Sequence, residues 1–430
     1  MASTNLAKLE VFFQEYPIKF TPPSSAEFST AINIWNKSRR DRPLAVVHPA
    51  SPSEVAAIVR FAKANAIPFT LRSGGHNLEG LTLVNDVLLI DLRGLNSVTV
   101  AADRKSATVQ GGVPQGDLAN KLWAEGLSTP IGSVPSVGYV GWAIYGGYGP
   151  FSSSWGLGVD QIISATVVNP NGDIVTADED ILQGIRGAGG LFGVIIDLTI
   201  KIYPLTSRFP PQLGIQQAVI NTPAGRSFVA LCAWNGSDVT EGERWIAKIA
   251  DLAPILMNTV TSTTIPEWLA ANGALIQETM YGSGFSHNIA RITPTVAESI
   301  GRNLACMPTD PGAMYSVHQL RGPSAAPQSH LSVFATRKPH YMLEILGFAK
   351  DKEGEDQSVA WAHQMSEDIE KTDRSIVLPT VYLSVYNSSQ ARSSVELLKK
   401  AYGPHAEALR ELKTSFDPDN VFSLTVPVLD

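Results

Sequence analysis

The sequence predicts an α+β fold. Short apolar runs bounded by turn residues recur through the first half, and two pairs of them read as hairpins. Helical periodicity comes between the runs, but without a clean βαβ repeat. At 430 residues the chain has the length of two or three domains. Hydrophobic residues make up 44% and charged residues 17%, enough for a large core.

The elements follow in order. Residues 1–40 read as a helical lead-in. Pro49-Ala50-Ser51-Pro52-Ser53-Glu54 marks a helix start, after which Val55, Ile58, Val59 and Ala62 recur at helical spacing. Residues 67–71 form a short strand and 87–91 a compact buried one. Residues 97–101 and 107–110 flank a turn and predict a hairpin. A helix over 114–125 would turn Leu118, Leu122 and Trp123 inward. A second hairpin pairs 163–168 with 174–176 around Asn171-Gly172. Residues 194–202 are a further strand. Three prolines between 204 and 211 mark a boundary. Beyond it, 315–320 and 332–335 read as strands of one sheet, backed by helices near 243–252 and 357–371. Two last helices, 389–402 and 405–414, lead to Phe416-Asp417-Pro418.

The totals exclude several functions. A net charge of -7 without long basic runs argues against a nucleic-acid surface. No apolar stretch is long enough for a membrane span. The first fifteen residues lack a secretory signal, so a cytoplasmic protein is expected. Cys232 and Cys306 lie far apart and fit a reducing compartment. The Asn-x-Ser triplets at Asn36, Asn235 and Asn387 read as unused. No GxGxxG, P-loop, GxSxG or HExxH is present, and no metal site is expected.

Three glycine-rich segments carry the chemistry. Arg72-Ser73-Gly74-Gly75-His76-Asn77 follows the first strand. Adjacent glycines let backbone approach a ligand, and N–H groups with a guanidinium suit a pyrophosphate. The bland version is a surface loop with a satisfied histidine. In Gly138-Tyr139-Val140-Gly141-Trp142-Ala143-Ile144-Tyr145-Gly146-Gly147-Tyr148-Gly149, five glycines fall in twelve residues. That density lets backbone lie flat against a planar ring or turn sharply inside a core. Arg186-Gly187-Ala188-Gly189-Gly190-Leu191-Phe192-Gly193-Val194 places four more glycines before a strand. Arg186 there would pair with a phosphate, a carboxylate or a structural acid.

Together with Trp155-Gly156-Leu157-Gly158-Val159-Asp160 and residues 416–422, these segments resemble the FAD-linked oxidases of the vanillyl-alcohol oxidase superfamily, in the berberine-bridge-enzyme-like branch. The resemblance is good over 39–205, moderate over 378–424 and weak between. It implies a bipartite, PCMH-type FAD-binding domain made of 1–205 and a C-terminal return, 381–430. A substrate domain, 206–380, would set an antiparallel sheet backed by helices over the flavin. It further implies a covalent bond from His76 to the flavin 8-methyl carbon. Arg72, Ser73, Gly74, Gly75 and Asn77 match the pyrophosphate loop. Ser136, Gly138 and Gly141 match the segment along the isoalloxazine, and Val194 the strand near it.

Departures from the family cluster near the expected chemistry. Val134 stands where many relatives carry a second attachment cysteine, which leaves one covalent link. Trp142 replaces a frequent histidine, Tyr145 the first glycine of a GGG run, and His405 an asparagine. Val137 resembles oxidases at an oxygen-gating position. Tyr382-Leu383-Ser384-Val385 replaces Tyr-x-Asn-Tyr. Tyr382 is the catalytic base by motif, or else a structural tyrosine. Trp142 and Tyr145 either shape the pocket or pack against neighbours. The leading expectation is an oxidase passing hydride from a small, secondary-metabolite substrate to FAD, with O2 as acceptor. The alternatives are a redox-neutral isomerase or cyclase using FAD as scaffold, and a non-catalytic flavin-binding protein.

Overall fold

A computed structural model describes residues 2–205, 212–276 and 279–428. Most of the 204–211 boundary expected from the prolines lies outside the described residues.

The first sheet contains β1 (Lys19–Thr21), β2 (Ala45–His48), β3 (Phe69–Arg72) and β4 (Leu88–Asp91) in the order β1-β2-β4-β3. Strands β2 and β3 both run parallel to β4, and β1 pairs antiparallel with β2. The helix Pro52–Ala64 makes the crossover from β2 to β3. Its start is the one expected: the Ser51 hydroxyl accepts from Glu54 N–H, and the Glu54 carboxylate accepts from Ala50 N–H. The 1–40 lead-in is helical only over Ala2–Glu15 and briefly at Phe28–Ala31. Strand β1 interrupts it because Thr21 is needed inside and His48 Nε2 meets its hydroxyl at 3.1 Å.

β5 (Val98–Val100), β6 (Ser106–Gln110), β7 (Leu127–Ser128), β8 (Ile162–Val168), β9 (Ile174–Thr176), β10 (Val194–Lys201) and β11 (Tyr203–Pro204) follow. Five of them form an antiparallel sheet, β5-β6-β10-β8-β9, and β7 pairs with β11. Both expected hairpins are present, the second turning at Gly172 with φ of 79°. The helix Gln115–Ala124 buries Leu118 and Leu122, while Trp123 is only half-buried.

The last sheet contains β12 (Leu213–Thr222), β13 (Gly225–Trp234), β14 (Tyr281–Ile289), β15 (Ala313–Leu320) and β16 (His340–Ala349), all antiparallel, in the order β13-β12-β15-β16-β14. Alternation splits its two faces. Tyr315, Val317, Leu343 and Ile345 pack beneath the helices Pro294–Ala305 and Glu355–Thr372. Ser316, His318, Met342 and Glu344 therefore point the other way. The helix Val239–Ala250 buries only Gly242, so it backs this sheet less than expected. Residues 332–335 are not a strand, because the N–H groups of Val333 and Phe334 bond Gln183 and Arg186 carbonyls instead of a sheet neighbour. The C-terminal helices Ser394–Tyr402 and Ala406–Phe416 return to the earlier half. Leu398, Tyr402 and Leu409 share a core with Val109 and Leu198.

Candidate active site

Most side chains of the loop after β3 serve the loop itself. Arg72 is buried and donates to Asp91 Oδ2 at 2.5 Å and to the Asn33 carbonyl at 3.1 Å. It is a buttress under the loop, with both terminal nitrogens engaged and only the buried Nε left without a partner among the described residues. Burial opposes the charge on Asp91, but hydrogen bonds from His48, Arg93 and Arg72 hold its carboxyl far below the usual range. Ser73 donates to the Gly111 carbonyl at 2.7 Å. The Asn77 oxygen accepts from Glu79 and Leu81 N–H groups, which shapes the turn. What remains facing outward is backbone and one ring. The N–H groups of Gly74, Gly75, His76 and Asn77 meet no acceptor among the described residues. The half-buried His76 ring has no hydrogen bond to any described residue either. Burial pushes that imidazole down to about 4, so it is neutral at physiological pH.

This loop is clamped from three sides. Asn36 donates its amide to the Leu78 carbonyl at 2.6 Å and to the Gly282 carbonyl of β14 at 3.1 Å. The Glu79 carboxylate accepts from Ser388 N–H at 3.0 Å. Residues 136–138 press on it from the other side. A Cβ on Gly138 would fall 2.1 Å from Ser73 Oγ, and one on Gly74 would fall 2.3 Å from Gly138 N and 2.8 Å from the Ser136 carbonyl. These two glycines exist for loop-on-loop packing. Gly141 differs, because a Cβ there would meet nothing within 4 Å. Open space lies in front of it.

Trp142 acts on its own loop and Tyr145 on the C-terminal segment. The Trp142 indole donates to the Tyr148 carbonyl at 3.0 Å, and its ring fills the space beside Gly158. Tyr145 donates to the Val426 carbonyl at 2.8 Å and ties the C-terminal segment down. Val194 is fully buried in a core with Ile90 and Val168. Arg186 caps the Ile162 and Leu331 carbonyls, a structural role.

Tyr382 is fully buried against Phe334, Tyr148 and His340, with ring centroids 5.2, 5.7 and 5.8 Å away. Its hydroxyl has no partner among the described residues, and burial pushes the phenol well up. Burial outweighs the nearby Arg337 charge, which favours losing the proton. The polar machinery lies one ring away. Tyr148 donates to Glu344 Oε1, and Glu344 Oε2 takes Ser316 Oγ at 2.8 Å and His318 Nε2 at 2.7 Å. Burial alone would neutralise Glu344, but His318 and the hydrogen bonds from His318, Tyr148 and Ser316 keep its carboxyl below the usual value. Burial and the facing Glu344 charge push the Tyr148 phenol far up. Leu78 packs in the same cluster as Tyr148, Met342 and Tyr382, so the His76 loop and this network meet.

Sequence reasoning missed Glu344, His318 and the role of Tyr148. The signal for Glu344 was a lone carboxylate inside an apolar strand, where an unpaired charge would be costly. No helix among the described residues is long and apolar enough to cross a membrane.

Residues 43–178 match the FAD binding domain family. FAD-linked oxidoreductase aurO of Gibberella zeae is 28% identical over 435 residues, covering 94% of this chain and 84% of that protein. Berberine bridge enzyme-like 5 of Arabidopsis thaliana is 35% identical over 197 residues, 43% of this chain and 37% of the relative. The fold is also that of 6-hydroxy-D-nicotine oxidase from Arthrobacter nicotinovorans, with a TM-score of 0.81 at 22% identity over 96% of this chain and 98% of the other. The residues present fit FAD. Unsatisfied N–H groups at 74–77 suit a pyrophosphate, Gly141 borders open space, and a neutral imidazole stands beside them. The chain carries an FAD-binding domain over 43–178, and the proteins it is similar to are FAD-linked oxidoreductases and berberine bridge enzyme-like proteins that share its fold.

Proposed function

We propose that this protein is an oxidase that carries FAD on a single covalent bond to His76 and oxidises a small, uncharged secondary-metabolite substrate, with dioxygen as the acceptor. The observation that carries the reading is the Tyr148–Glu344 hydrogen bond. It sets an ionised, buried carboxylate against a phenol on the glycine-rich loop that would line the flavin. When bound, FAD would supply the hydride acceptor for the substrate carbon and the electron route to dioxygen.

The chain's own residues handle the proton. Tyr148 accepts it from a substrate O–H or N–H while handing its own proton to Glu344. Ser316 and His318 fix the carboxylate in line for that transfer. Trp142 holds the Tyr148 backbone in place. Leu320, Phe334 and Met342 keep the surroundings apolar, which favours a lipophilic substrate. Val134 offers no thiol, so His76 is the one attachment point.

The test is an anaerobic mix of purified protein with a panel of alcohols, amines and phenols, watched at the flavin absorbance bands. Bleaching that recovers in air is expected. Turnover without bleaching would favour a redox-neutral isomerase or cyclase, and neither across the panel a flavin-binding protein.

A further inference from the structure

His76 has a neighbour that the glycine motifs do not reveal. The Trp35 indole lies stacked beside its imidazole, with ring centroids 6.0 Å apart and planes 25° from parallel. Trp35 is itself fixed. Its N–H bonds the Gly75 carbonyl at 3.1 Å, its carbonyl takes Met280 N–H at 3.0 Å, and its ring meets Phe348 edge-on at 4.8 Å. Gly75, with φ of 75°, turns the chain so that His76 lies beside that ring. We propose that Trp35 is the positioning residue for flavin attachment: its indole covers one face of the His76 imidazole and holds that ring dry and oriented for bond formation. This rests on the covalent reading above.

The chemistry explains why a dry ring matters. Attachment exchanges the imidazole N–H and one C–H of the flavin 8-methyl group for an N–C bond. The two electrons and two protons released end on dioxygen as hydrogen peroxide. Only the neutral imidazole has a lone pair to form that bond, and burial is the sole cause of its lowered proton affinity. The charged groups on the surrounding segments are engaged elsewhere: Arg72 with Asp91, Glu79 with Ser388, and Arg39 with Asp41. Lys37 and Tyr281, next to the Trp35 and Met280 segments, contribute nothing to the shift. Burial is what keeps His76 neutral in mild acid, and on this proposal the stacked Trp35 ring is a main part of that cover.

The experiment supplies FAD to full-length protein made under riboflavin limitation and follows yellow colour in acid-precipitated pellets at about pH 5.5 and pH 8. Wild type should attach FAD at similar rates at both. Trp35→Leu should match it at the higher pH and be about tenfold slower at the lower, as His76 returns toward its ordinary value of ~6.5. Trp35→Phe keeps an aromatic cover and should retain the wild-type ratio. Trp35→Leu slowed equally at both values, or not at all, overturns the proposal, as does an altered ratio in Trp35→Phe. A wild-type pellet without colour ends the covalent reading itself. A yellow wild-type pellet with an unshifted Trp35→Leu sinks only the role of Trp35.

Discussion

The Tyr148 hydroxyl donates to Glu344 across 196 residues of sequence, from a glycine-rich loop to the strand β16. Neither residue is useful alone. A phenol that far inside the protein holds its proton, and a carboxylate there would take one up. Joined, and with His318 and Ser316 on the second oxygen, they form a route for a proton with the acceptor already ionised.

Glu344→Gln removes the acceptor. Its turnover with any substrate that bleaches wild-type flavin should fall by about 10²–10⁴-fold, the span of general-base catalysis. The pH profile gives an independent check. Glu344 is held below the ordinary glutamate value, so activity is full above ~4.3 and is lost only as pH falls beneath it. An acid limb near neutrality would contradict the assignment.

Tyr382→Phe separates the motif reading from the geometric one. The hydroxyl it deletes is buried and unpartnered, so thermal stability should hold or rise slightly. Steady-state turnover should change far less than in Glu344→Gln. A loss as large as that of Glu344→Gln would restore Tyr382 as the base.

His76→Ala should yield a colourless acid pellet with free FAD in the supernatant, while native protein keeps some flavin on the loop backbone. Absorbance of the two fractions is the measurement.

Asp91→Ala strips the counter-charge from buried Arg72 and should cost about 3–5 kcal/mol in denaturant unfolding. In wild type the same pair is linked to pH. The folded-state value of Asp91 is depressed, so its stabilisation is complete above ~3.9 and drains as pH drops below that.

Gly138→Ala drives a methyl into Ser73 Oγ and the Gly74 backbone. Melting should report a loss of about 1–3 kcal/mol, with reduced flavin content in the purified protein.

What the sequence could disclose was local. Ser51 with Glu54, and Asn171-Gly172 between two apolar runs, declare a cap and a hairpin because the partners lie within a few residues. The glycine segments declared the likeness to FAD-linked oxidoreductases that the comparisons also find. Arg72 misled because its partner Asp91 comes from the neighbouring parallel strand, and no local pattern distinguishes a buttress from a phosphate ligand. Residues 332–335 misled because an apolar run looks the same whether its N–H groups meet a strand or helix carbonyls. The Glu344 network was out of reach, since it needs the β15–β16 register and the seating of a third segment at once.

Because Asp91 already neutralises Arg72, the loop after β3 would hold a diphosphate through peptide dipoles alone. Dipoles at contact distance are hardly screened by dissolved ions. Flavin retention in the His76→Ala protein should therefore be nearly indifferent to added sodium chloride, unlike a site that grips its anion with lysine or arginine.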